Sequence, residues 1–289
     1  MNTIYKKLLY GLSALPLGVL YKLSDFLYFL QNYVIKYRKK VVIENLKNSF
    51  PEKSDKEIQQ ISKQFNKNFC DFTVETIKGI TISQEEIDQR ISVKNIEAMQ
   101  RIYDEKRNVM VLCGHVFNWE WLKGLGVHLP TPNIFAVYHV AKNELVNEII
   151  KKSREKFNGE TIPMQKATEG ILRIPNDGDS LFLMVADQSP YKKAIRYDLQ
   201  FLNQTTPVFQ GFDKLARRKN MGIVYLNISK PKRGKYEYEV IEITPDGDEF
   251  KENEVVHKFF DLLEKNIQQD PANYMWTHKR WKYKKGIHY

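Results

Sequence analysis

From residue 108 onward, short strand-like runs alternate with helical ones, and this alternation restricts the possible folds more than any other feature of the chain. NVMVLC (108–113) precedes a helix that begins at about Asn118, IFAVY (134–138) precedes a helix over 143–157, and ETIP leads to a helix over 165–174. LFLMVA (181–186), MGIVYLNI (221–228) and YEYEVIEI (236–243) follow, then a helix over 253–269. Period-two alternation in the last of these strands suggests an antiparallel or edge position. The expected fold is α/β, a mixed, largely parallel sheet flanked by helices. Upstream, 18–48 and 54–78 read as helices separated by SFPEKSD, where Pro51 stops one and Ser54 with Glu57 offers a capping box to the next. No internal repeat is visible.

Charge is unevenly placed. The chain of 289 residues carries +10 overall, of which 1–50 hold +6 and 276–289 hold +5, leaving the long middle at −1. Basic ends of this kind suit an anionic membrane surface, an acidic protein or nucleic acid. The two cysteines, Cys70 and Cys113, lie far apart and outside any CxxC, so neither a disulfide scaffold nor a structural zinc site follows from them, and the chain reads as cytosol-facing.

The N-terminus narrows the choice of partner. LLYGLSALPLGVLY (8–21) is free of charge, and after Lys22 and Asp25 the apolar character resumes as FLYFL and YVI. This uncharged run is shorter than the roughly 20 residues that span a hydrocarbon core. It suits an interfacial or re-entrant anchor, or a tilted span in which Lys22 and Asp25 neutralise each other. A signal peptide is disfavoured because no small-x-small cleavage site follows the run. The cluster KYRKK (36–40) falls where a lipid-facing basic patch is expected. Residues 1–50 are therefore read as a membrane-anchoring helical segment and 51–289 as the α/β domain.

In such a sheet, chemistry belongs just beyond the carboxyl ends of strands. Two segments qualify: NVMVLC running into GHVFNWE (114–120), and LFLMVA running into Asp187-Gln188-Ser189-Pro190. His115 and Glu120 are five apart, a separation of about 140° on a regular helix, so they meet only if His115 lies on the strand end and Glu120 in the first helical turn. Gly114 is expected to supply the bend. Glu120 would then accept the imidazole N–H and leave the other nitrogen as a general base. With no nucleophilic Ser or Cys in the motif, the expected reaction is direct attack by a substrate hydroxyl. Composition alone predicts about 0.7 chance occurrences of His-x4-acid. A second copy, His139 with Glu144, lacks the strand-end glycine and is read as a decoy.

Around the first copy the sequence resembles the bacterial lipid A late acyltransferases (lauroyl and myristoyl acyltransferases), within the wider glycerolipid acyltransferase group with its His-x4-Asp/Glu motif. The resemblance spans almost the whole chain. It includes LPLGVLYKLSDFLYFL, YRKKVVIENLKNSFPEKS, GHVFNWEW, VYHVAKNELVNEIIKKSREKFNGETIP, ADQSP, FLNQTTPVFQGFDKLARRKN and YMWTHKRWK. It implies transfer of a fatty acyl chain from acyl carrier protein, or coenzyme A, to a hydroxyl of a lipid A precursor at the cytoplasmic face of the inner membrane. His115 falls at the family's base and Glu120 at its partner. Arg154 falls at the second-block arginine, a contact for a phosphate or the developing oxyanion, with a solvated helix charge as the alternative. Asp187 and Gln188 match the family's Asp-Gln pair, as acceptor-positioning or scaffold groups. His139 stands where the family commonly has Arg or Lys.

No metal-ligand cluster or cofactor motif appears, so a metal-independent transfer is favoured. Phe117, Trp119 and Trp121 read equally as an acyl groove or as core packing. The acceptor could instead be an aminolipid, glycolipid or phospholipid. A non-catalytic nucleic-acid-binding role fits the tail WTHKRWKYKKGIHY but not the apolar N-terminus, the near-neutral middle or the Gly-His strand exit.

Overall fold

A computed structural model describes residues 2–129, 133–245 and 251–283. Helix α1 (Asn2–Ala14) ends before Pro16, and α2 (Leu17–Phe29) runs into a π-helical turn over Leu30–Ile35. Lys36 and Arg38 are left-handed, and α3 (Lys39–Ser49) then begins. The single helix expected over 18–48 is thus two. The break carries no Gly or Pro to announce it; instead Arg38 donates to the Thr277 carbonyl at 2.9 Å, tying the turn to the C-terminal tail. Helix α4 (Asp55–Lys78) starts with the expected capping box, Ser54 and Glu57 bonding reciprocally.

The short helix α5 (Gln84–Asp88), strand β1 (Ile91–Lys94) and helix α6 (Glu97–Asp104) lead to β2 (Val109–Cys113), buried along its whole length. The helix expected from about Asn118 is a 3-10 segment, Trp119–His128. Strand β3 (Asn133–Tyr138), α7 (Glu144–Arg154), β4 (Gly159–Pro163), α8 (Ala167–Arg173) and β5 (Ser180–Val185) follow as predicted. A hairpin of β6 (Asp198–Phe201) and β7 (Gln204–Pro207) turns on Leu202 and Asn203, both at positive φ, the geometry that matches strand twist. Helix α9 (Gly211–Lys219), strands β8 (Gly222–Lys232) and β9 (Lys235–Glu242), and α10 (Glu254–Gln269) complete the chain.

Seven strands form one sheet in the order β1-β9-β8-β2-β5-β3-β4, parallel at every pairing except β8 with β9. The alternating strand β9 is antiparallel to β8, as one of its two readings held, but it is not an edge: β1, only four residues long, lies outside it. Parallel register sets Cys113 opposite Val185, so β2 and β5 end on one rim, which β8 runs past from Tyr225, the partner of Leu112, to Lys232. That rim carries His115 and Asp187.

Helix α2 packs against α4 through Leu17, Leu20 and Ser24, the last donating to Asp71 at 2.6 Å. Its other face is left uncovered. Of the 13 exposed large hydrophobic side chains among the described residues, 11 lie between Ile4 and Tyr37. No helix among the described residues is long and apolar enough to cross a membrane.

Candidate active site

His115 and Asp187 each stand two residues beyond the ends of adjacent parallel strands, so register brings them together. Asp187 Oδ1 lies 2.5 Å from His115 Nδ1 and also accepts the His115 backbone N–H at 3.1 Å. Its second oxygen accepts from the Tyr274 hydroxyl at 2.9 Å. The segment bearing Tyr274 is pinned to the site: Met275 N–H donates to the His115 carbonyl, and Phe117 N–H donates to the Asn273 carbonyl. With Nδ1–H given to Asp187, His115 Nε2 is the acceptor, and it takes the Gln188 amide N–H at 2.9 Å. Trp119 meets the imidazole edge-on, ring centres 4.8 Å apart.

The carboxylate facing the imidazole is therefore Asp187 and not Glu120. Glu120 sits in the 3-10 turn, its N–H accepted by the Asn118 side chain, and turns toward α7. There Arg154 donates through Nε at 3.2 Å and Nη2 at 2.5 Å to its two oxygens, and Trp119 adds its indole N–H at 3.1 Å. Arg154 is no solvated helix charge: its side chain is 22% exposed and its partner Glu120 14%. Asn118 is itself held, donating at 3.0 Å to the buried Glu75, which also accepts from Tyr21 and Tyr236. Gly114 has another use besides a bend: a Cβ there would collide with Leu263 of α10, so the glycine lets that helix seat against the strand exit.

Burial alone would raise the Asp187 carboxyl, but the facing imidazole, with hydrogen bonds from His115 and Tyr274, overrides it and holds the group down at about 2. The same contest leaves Glu120 below the ordinary carboxylate range, burial raising it and Arg154 lowering it further. Beside them, burial pushes the Lys123 ammonium down to about 7 against the pull of Glu120. Lys123 donates to the Gly79 carbonyl at 2.7 Å and to Ser153.

An apolar cavity of about 60 Å³ opens next to the Glu120–Arg154 pair. Its floor is one face of the sheet, Val111, Leu181, Leu183 and Ala136, and its roof is the 3-10 segment with Trp119, Leu122 and Leu125. The three aromatics of the motif divide accordingly. Trp119 joins cavity and imidazole, whereas Phe117 stacks on Phe72 and Trp121 donates to the Glu75 carbonyl, both in the core under α4.

Two residues near Asp187 escaped the sequence reading, which treated the tail only as a basic surface. Burial lowers His278 to about 4, against the pull of Asp187. Arg280 is fully buried, its three guanidinium nitrogens lacking a hydrogen-bond partner among the described residues, and burial lowers it to about 10 while Tyr274 and Asp187 pull it back up. Both lie in the match YMWTHKRWK, which was the available signal. Lys284 and Lys285 lie outside the described residues. His139, the decoy, sits at the surface with Nε2 3.2 Å from the Tyr191 hydroxyl.

The architecture is that of an α/β protein with a half-buried histidine on a buried aspartate at a strand rim beside an apolar cavity. Residues 2–283 match the family model described as bacterial lipid A biosynthesis acyltransferase, and the chain belongs to that family. It is 23% identical over 250 residues to the lipid A biosynthesis palmitoleoyltransferase of Escherichia coli (strain K12), covering 86% of this chain and 80% of that protein. A lipid A biosynthesis acyltransferase of Shigella flexneri is similar to the same extent, 23% over 250 residues.

Proposed function

We propose that the protein transfers a fatty acyl chain from acyl carrier protein, or coenzyme A, to a hydroxyl of a lipid A precursor at the cytoplasmic face of the inner membrane. The observation that carries this reading is the His115–Asp187 pair, oriented with Nε2 as acceptor and joined to the apolar cavity through Trp119, which lines it and meets the imidazole edge-on. The acceptor hydroxyl takes the place of the Gln188 amide at Nε2. As its oxygen attacks the thioester carbonyl, Nε2 accepts the proton and Asp187 steadies the imidazolium through Nδ1. Collapse of the tetrahedral intermediate breaks the C–S bond, and the imidazolium returns the proton to the departing thiolate. Arg154, oriented by Glu120, offers charge to a phosphate or to the carbonyl oxygen.

A void of 60 Å³ is too small for a fatty chain, since ligand pockets run to roughly 300 Å³ or more. Chain entry requires the 3-10 roof to move off the sheet, and its poorer hydrogen bonding makes it the element able to do so. The two basic ends of the chain meet in the fold, Arg38 on the Thr277 carbonyl and Asn45 on those of Trp276 and His278, which favours docking of an acidic carrier beside the site.

The test is a reconstituted assay in which full-length protein receives acyl carrier protein bearing a labelled acyl chain and a lipid A precursor, with product mass read directly. One added acyl chain that depends on His115 supports the reading. Transfer to a phospholipid or aminolipid and not to the precursor would replace the acceptor, and transfer unaffected by His115→Ala would reject the mechanism.

A further inference from the structure

Beyond the acyl-transfer site, an open polar pocket of about 390 Å³ lies between α4 and the end of β8. Its charged walls are Lys67, Lys230, Lys232 and Arg233 against Asp71 and Asp270. The two acids are already committed. Asp71 accepts from Arg233 through both oxygens, at 2.6 to 3.0 Å, and Asp270 accepts from the Ala272 N–H and the Asn273 amide. Arg233 is likewise spent on Asp71 and Asp25. The three lysines are less committed. Lys67 and Lys232 form no ion pair among the described residues, and Lys230, its side chain 10% exposed, reaches Asp71 only at 3.8 Å while donating to Asn68 at 2.8 Å. Three lysines from two elements thus line one concave space, and only Lys230 has a carboxylate within ion-pair reach, one that Arg233 already holds more closely.

We propose that this pocket binds a phosphate group, its ligand oxygens taken by Lys67, Lys230 and Lys232. A phosphate carries the charge and the several acceptor oxygens that such a set of donors needs. Burial lowers the Lys230 ammonium even with Glu75, Asp71 and Asp270 near it, so an anion in the pocket supplies compensation the protein does not. The surroundings favour a lipid headgroup over free phosphate. Arg233 binds the Tyr21 carbonyl and Asp25 of α2, and Phe26 and Phe29 just beyond are more than half exposed. A phosphate seated here therefore lies at the polar border of the largest apolar surface. Asn273, another wall of the pocket, accepts from Phe117 N–H two residues from His115, so a lipid held by its phosphate would extend toward the imidazole. That orientation rests on the acyl-transfer reading; the binding itself does not.

Calorimetric titration of the full-length protein with dihexanoyl phosphatidic acid, dihexanoylglycerol and inorganic phosphate tests the proposal without turnover. Phosphatidic acid is expected to bind and dihexanoylglycerol is not. Lys67→Ala with Lys232→Ala, both exposed and harmless to the fold, should weaken binding by about tenfold or more, and Lys230→Met should weaken it independently. Lys39→Ala with Lys40→Ala, equal in charge but outside the pocket, should leave it unchanged. If inorganic phosphate binds as tightly and with the same dependence, the site takes free phosphate and the class of ligand stands. Absence of binding, or equal loss in the two lysine pairs, overturns it. Intact binding in a protein that fails to transfer acyl chains would reject the acyl-transfer reading alone.

Discussion

The His115 imidazole and the Asp187 carboxylate meet because Cys113 and Val185 are register partners on parallel strands and each functional residue follows its partner by two positions. The sheet brings the two strand exits side by side, and the backbone bonds from Met275 to His115 and from Phe117 to Asn273 fix the exit that bears the imidazole. Moreover, Asp187 is 2% exposed and Tyr274 closes its other side, so the carboxylate is held between the imidazole and the phenol.

Asp187→Asn keeps the shape and removes the charge that would stabilise an imidazolium. A fall in kcat of about 10²- to 10⁴-fold is expected, with His115→Ala inactive and both proteins folded by circular dichroism. His139→Ala, at a surface contact with Tyr191, should cost little. A folded Asp187→Asn protein with near-parental kcat would show that the pair is structural.

Glu120→Gln should behave differently. It leaves the Arg154 guanidinium largely buried without its carboxylate, a loss on the order of 3–5 kcal/mol for a broken buried pair, so Tm should drop clearly. Glu120→Gln combined with Arg154→Met should recover part of that Tm without recovering activity. If the single variant keeps its Tm and loses rate, Glu120 acts on the reaction directly and not through Arg154.

The sequence made the parallel sheet legible because β2, β3 and β5 are apolar runs of strand length separated by helical periods. It also placed both halves of the site, Gly-His and Asp-Gln, at strand ends. What it could not supply was the neighbour relation: that β2 and β5 are adjacent follows from strand order, which no local pattern encodes, so a nearby acid, Glu120, was paired with His115 by sequence distance. Arg280 and His278 were hidden for a related reason. Their type and exposed-looking context read as surface, and only the fold of the tail over Asp187 buries Arg280 and part-buries His278. The hairpin of β6 and β7 went unseen because its turn uses Leu202 at positive φ, a residue that gives no turn signal.

Stability should depend on pH through Asp187. Its carboxyl is held at about 2 in the fold against an ordinary 3.8, so the folded state binds fewer protons than the unfolded one between those values. The contribution is full above the ordinary value and is lost as pH falls through about 4 to 2, amounting to about 2 kcal/mol. Denaturant titrations across that window should show a steeper decline for the parent than for Asp187→Asn. Parallel curves would mean that the charge on Asp187 is not stabilised by the fold.

Arg280 bears on the same carboxylate, since it is a buried cation whose electrostatic partners are Tyr274 and Asp187. Removing it should let the Asp187 carboxyl rise toward its ordinary value. Arg280→Met is therefore expected to make the acid-side loss of stability smaller and to end it at a higher pH, while Lys279→Met next to it, an exposed lysine, should leave that loss unchanged. An unchanged acid limb in Arg280→Met would separate the guanidinium from Asp187.

The uncovered apolar surface between Ile4 and Tyr37 makes the strongest demand on the protein's surroundings. Contiguous exposed apolar patches are rare on soluble monomers, and here Phe26, Phe29, Tyr33, Val34 and Ile35 follow one another around the end of α2 and the π-helical turn, with Lys36, Arg38 and Lys40 exposed just beyond. Apolar burial is insensitive to salt, whereas attraction between the basic cluster and anionic lipid is screened within about 10 Å at 0.1 M salt. The protein should therefore sediment with vesicles of phosphatidylethanolamine and phosphatidylglycerol, stay bound in high salt and come off in detergent. Phe26→Ser with Phe29→Ser and Val34→Ser should convert that behaviour to salt-sensitive binding, because only the lysines and Arg38 then remain, and none of the three positions is buried against the core. Complete release of the parent protein by salt alone would show that charge, and not this surface, holds it at the membrane.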